Sequence, residues 1–113
     1  MRIRIYQARV MDTNFDKDAG IIDRAINSFP GNFEHVATLK LADGTNEEEA
    51  LITAFLTTNN IDSSWVGNAE VTWSRGERRS TSVGDLVEID GQFHICLPTS
   101  WRKIDIPLVV IGQ

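Results

Sequence analysis

His94 and Cys96 stand two residues apart in the stretch Phe93-His94-Ile95-Cys96. On a strand, side chains at i and i+2 share a face, so an imidazole and a thiol are neighbours here, the pairing from which a Cys–His nucleophile is built. Such a dyad also needs a third group to orient the imidazole and donors for an oxyanion, and the sequence offers no obvious candidate for either. Asp85 added to His94 and Cys96 makes a three-ligand set for a metal, yet none of the compact spacings that mark zinc sites is present. The alternation of His94 with Phe93 and Ile95 places the imidazole on the side of the strand away from the core. His35 falls on the apolar face of its own strand, where a histidine needs a hydrogen-bonding partner, and it reads as a satisfied core or edge residue. No catalytic residue, metal site or cofactor is expected.

Trp73, Arg75, Arg78 and Arg79, with Trp101, Arg102 and Lys103 farther on, combine the side chains enriched at interface hot spots and on single-strand binding surfaces. These seven are the candidate partner-binding residues. A protein partner is the leading expectation and a nucleic acid held by the Arg75–Arg79 segment the lesser one, because Glu77 interrupts the basic run and acids outnumber bases. The net charge is −5, whereas phosphate affinity comes from clustered Lys and Arg. Asp43, Glu47, Glu48 and Glu49 form an acidic knot that reads as helix-start chemistry or as a mimic of the DNA backbone. Gly76 and Gly84 lie in no phosphate-loop framework.

The 113 residues are enough for one domain with one core, and with 42% apolar and 24% charged residues the composition is that of a globular chain. The N-terminal MRIRIYQARV alternates where a secretory signal would be continuously apolar. The longest apolar run, Leu108 to Ile111, is far short of the roughly 20 residues that span a bilayer. Those features, with a single cysteine, fit a soluble protein of a reducing cytoplasm that does not enter membranes.

Period two from Arg2 to Val10, with Ile3 and Ile5 on one face, predicts a first strand whose arginines face water. Asp12 to Asp18 is turn-like. Ile21, Ile22, Ala25, Ile26 and Phe29 at helical spacing predict a helix that Pro30-Gly31 stops. Phe33, His35, Ala37, Leu39 and Leu41 on one face predict the clearest strand. Thr45 with Glu48 forms a capping-box pattern for a helix from about Asn46 to Thr58 that buries Ala50, Leu51, Ala54 and Phe55, with Asn59-Asn60 as its stop. Trp65 lies in the least regular segment, and Ala69–Trp73 predicts an edge strand. Asp90-Gly91 predicts a hairpin between Asp85–Ile89 and Phe93–Leu97. A three-residue loop with Gly91 at a bulge would put Val87, Phe93 and Ile95 on one face. Trp101–Ile106 is the last strand, ending near Pro107. The order β-α-β-α followed by strands predicts a single α+β domain, a mainly antiparallel sheet with two helices packed mostly on one face. Homodimerisation by edge pairing at the first strand or near Pro107 stays open.

The string Arg79-Ser80-Thr81-Ser82-Val83-Gly84-Asp85-Leu86-Val87, followed by Asp90-Gly91 and Trp101, resembles a C-terminal signature of short proteins encoded by phages, plasmids and other bacterial mobile elements, YodL-like domains among them. Ile5-Tyr6-Gln7 near the start is similar to the opening strand of the same proteins. Thr81, Ser100 and His94 depart from the residues common at those places. The resemblance covers about a third of the chain and implies a genomic setting rather than catalytic residues: a small non-enzymatic protein that binds a host or viral protein, as an inhibitor of a defence or DNA-processing system. A small enzyme using His94 and Cys96 is the alternative from another class.

Overall fold

Segments with period-two alternation and segments with helical spacing separate along the chain as the sequence predicts. In the computed structural model, which describes residues 1–9, 18–58, 71–74 and 81–106, these are β1 (Arg2–Ala8), α1 (Asp18–Ser28), β2 (Phe33–Lys40), α2 (Glu47–Thr58), β3 (Val71–Ser74), β4 (Leu86–Ile89), β5 (Gln92–Cys96) and β6 (Trp101–Ile104). The strands form one antiparallel sheet in the order β3-β2-β1-β4-β5-β6. This is a single-domain α+β fold with two helices and six strands among the described residues. The expected turn from Asp12 to Asp18 lies outside the described residues except for Asp18, which opens α1; the Asn59-Asn60 stop, Trp65 and Pro107 lie outside them too.

Both sheet faces are covered, each by one helix. Ile3, Ile5, Ala37, Leu39, Val87 and Ile89 pack with Ala50, Leu51 and Ala54 of α2. Phe33, Leu86, Phe93, Ile95 and Ile104 pack with Ile21 and Ala25 of α1 and with Phe29 just past its end. The expectation that the helices share one face is corrected here, and the reason lies in the register. Ile3 and Ile5 pair with Ile89 and Val87, whereas Tyr6 pairs with Leu86, so β1 and β4 each carry apolar side chains on both faces and each face needs its own cover. Phe29, the residue after α1, meets Tyr6 edge-on at 5.4 Å and Phe93 at 5.1 Å between ring centres.

Two-sided burial also explains the hairpin. Asp90 and Gly91 have φ of 48° and 90°, the conformation of a two-residue type I′ turn. Val87 therefore lies opposite His94, and Glu88 opposite Phe93, in place of the expected bulge. Mixed pairs of this kind look unfavourable only if one face is wet. In β2 the alternation itself is broken: the register shifts between Ile5 and Tyr6, so Ile5 pairs with Ala37 but Tyr6 with His35. This irregularity puts Phe33 and His35 on the α1 face and Ala37 and Leu39 on the α2 face, rather than all four together.

The start of α2 differs by one residue from the capping box. Asn46 is the cap, its Oδ1 accepting the Glu49 amide at 2.8 Å, while the Thr45 hydroxyl donates to the Ala42 carbonyl at 2.7 Å and closes the preceding turn. Asn is as good a cap as Thr or better. The Ser82–Asp85 segment delivers the chain into β4. Gly84, at φ +93°, donates to the Cys96 carbonyl at 2.8 Å, and Asp85 donates to the Ser82 carbonyl at 3.0 Å. The buried Asp85 carboxylate accepts from the Ser82 amide at 2.8 Å and the Ala8 amide at 2.9 Å. Asp85 thus holds its own turn and the end of β1 together, which accounts for the SVGD string as a structural device.

Candidate interaction surface

The Glu47 carboxylate at the first position of α2 fastens the helix to the sheet. His94 Nε2 lies 2.7 Å from Glu47 Oε1, and since a carboxylate accepts, Nε2 carries the proton. Lys103 Nζ lies 3.4 Å from Glu47 Oε2. The His94 hydrogen bond is the main cause that holds the Glu47 carboxyl below its usual range. His94 is 2% exposed, so the expected outward orientation is corrected: the face away from Phe93 is the face beneath α2. Its Nδ1 is buried without a hydrogen-bond partner.

Cys96 shares that face and is also buried. Burial, then the charge of Asp85, pushes its thiol from 9.0 up to about 11, the opposite of what a nucleophilic cysteine needs. The thiol donates to the Leu97 carbonyl at 3.9 Å, and the proton on His94 Nε2 is directed at Glu47. No group of three or more metal-ligating side chains is assembled among the described residues. At pH 7–8 iodoacetamide is expected to alkylate native Cys96 about 100-fold more slowly than the thiol of the urea-unfolded chain, because the thiolate is the reactive form. Equal rates would contradict this environment. The folded chain holds this proton more tightly than the unfolded one, so the Cys96 contribution to stability is fully present below pH 9.0 and is lost as pH rises toward 11.

The candidate partner-binding residues divide between two places. Trp73 lies on β3 and Trp101 on β6, the two edges of the sheet, about 24 Å apart at the usual strand spacing. Trp73 is 44% exposed and stacks on His35 at 4.6 Å, with Tyr6 on His35 at 5.3 Å. His35 Nε2 is 3.0 Å from the Ala37 carbonyl and 2.9 Å from Thr38 Oγ1, the hydrogen-bonded role expected of it. Arg102 and Lys103 alternate across β6: Arg102 pairs with Asp18 of α1 at 3.7 Å, whereas Lys103 reaches Glu47 of α2. Arg75, Arg78 and Arg79 lie outside the described residues.

Three residues absent from that set form the most exposed apolar feature among the described residues. Ile52, Phe55 and Leu56 of α2 are 51%, 37% and 63% exposed. Offsets of three and four residues put them side by side on the helix face opposite Ala50 and Ala54. Phe55, expected in the core, instead meets Trp101 edge-on at 6.5 Å. Between α2 and β6 runs a groove of about 490 Å³ lined by Glu47, Glu48, Leu51, Ile52 and Trp101. Past Phe55 the surface continues into depressions of about 410 and 240 Å³ that share Cys96, Leu97 and Pro98. The signal in the sequence was an α2 whose apolar residues exceed one stripe. No helix among the described residues is long and apolar enough to cross a membrane. Comparison of the chain with protein-family models, with curated proteins and with solved structures finds no match.

Proposed function

We propose that this chain is a small non-enzymatic protein that acts by binding another protein through the outer face of α2 and the adjoining end of β6. The observation that carries the reading is the exposure of Ile52, Phe55 and Leu56 beside the Trp101 groove, since adjacent large apolar side chains left in water mark interaction sites. An aromatic lining a groove and flanked by aliphatic residues is the composition of a binding hot spot. The resemblance to phage- and plasmid-encoded proteins supplies the setting. The partner is then a host or viral protein, and the outcome of binding is inhibition of a defence or DNA-processing system inside the host cell.

The test is affinity capture from host lysate with and without nuclease treatment, with the wild-type chain beside Ile52→Gln/Leu56→Gln and Trp73→Ala. A nuclease-resistant protein held by wild type and Trp73→Ala but lost from the double variant is expected. Recovery of nucleic acid alone, or capture unaffected by the double variant, would overturn the reading.

A further inference from the structure

We propose that the segment received by this surface is cationic and amphipathic, carrying Lys or Arg together with bulky apolar side chains; the inference rests on the binding reading above. Glu48 and Glu49 are exposed and have no ion-pair partner among the described residues, whereas Glu47 is already held by His94 and Lys103. Their positions matter as much as their charge. Glu48, Ile52 and Leu56 follow at steps of four, and Glu49 stands three before Ile52 and seven before Leu56. Acids and apolar residues therefore occupy one helix face, the acids at its N-terminal end. α2 contains no Lys or Arg, so nothing on the helix neutralises that end.

A second copy placed with its α2 against this α2 does not complement such a surface. Parallel apposition of two α2 helices would bring the acidic ends together. Antiparallel apposition would set each acidic end against Thr57 and Thr58, a last turn without basic residues. Phosphate backbones are repelled by the same carboxylates. A positively charged protein segment satisfies both halves of the patch. The axial distance from Glu48 to Leu56 is about 12 Å at 1.5 Å per residue. The partner's cation and its apolar anchor then lie seven or eight residues apart on a helix, or about four apart on an extended chain.

The experiment titrates the 15N-labelled chain with a synthetic Lys/Leu/Trp amphipathic peptide and with the same peptide carrying Glu in place of Lys. The Lys peptide is expected to shift the amide signals of Glu48, Ile52, Phe55 and Leu56 and the Trp101 indole, and to bind at least tenfold more tightly than the Glu peptide. Raising salt should weaken it. Glu48→Lys/Glu49→Lys should reverse the preference, and Glu48→Gln/Glu49→Gln, which keeps helix-forming residues at both sites, should abolish it. Equal affinity for the two peptides, shifts centred on Trp73 and His35, or no binding of the Lys peptide would overturn the inference. If the lysate partner is nonetheless lost with Ile52→Gln/Leu56→Gln, the binding reading survives and only the cationic occupant falls.

Discussion

Asp85→Ala is expected to lower folding stability by about 3 kcal/mol, measured by urea unfolding. The Asp85 side chain is fully buried, and its two oxygens accept the amides of Ala8 and Ser82 at 2.9 and 2.8 Å. Alanine would leave two donors without their acceptor at the junction of β1, β4 and β5, each costing about 1–3 kcal/mol. Against a total of about 5–15 kcal/mol for a native domain the loss is large. Asp85→Asn should fall between, because one amide oxygen can replace only one of the two acceptors and the NH2 group would face the other donor. A change below about 1 kcal/mol for the alanine variant would mean that the SVGD string does something other than hold the fold.

The second large effect is on binding rather than folding. Ile52→Gln/Leu56→Gln should weaken the partner complex by about a hundredfold, because covering a half-exposed Ile or Leu contributes roughly 1 kcal/mol and burying an unpaired amide adds a cost, with 1.4 kcal/mol for each factor of ten. Thermal stability should change little. Both positions are more than half exposed, and glutamine is a good helix former without added charge. An unchanged dissociation constant would remove this surface from the account, whereas a collapsed melting transition would show that the two side chains serve the core.

Strand and helix positions were legible in the sequence because periodicity and breakers are local. Pro30-Gly31 follows the end of α1 after one intervening residue, Phe29, and α2 begins one residue after the expected Asn46. Which side of each strand meets solvent was not legible, since that depends on what covers the sheet. His94 alternates with Phe93 on either reading, and only the placement of α2 decides that its face is buried. The same ambiguity misled the hairpin register, where pairing Val87 with His94 costs nothing once both faces are covered. The irregularity that sends His35 and Ala37 to opposite faces leaves no mark in an otherwise alternating string.

The candidate surface was the least legible part. A helix reading EEEALITAFLTT has apolar side chains around much of its circumference, and such a pattern ordinarily signals deep burial. Only the lone sheet face beneath it, with nothing described above it, turns Ile52, Phe55 and Leu56 into surface. Trp101 was recognised as a surface candidate, but its neighbours in space are Phe55 and Leu51 rather than Trp73, because β3 and β6 lie at opposite edges of the sheet.

Hydrogen–deuterium exchange of the free chain and of its complex with the captured partner locates the surface that the partner covers. Slowed exchange is expected along α2 (Glu47–Thr58) and through residues 98–104, with β3 (Val71–Ser74) unchanged. Slowing confined to β3, with α2 exchanging as in the free chain, would contradict it.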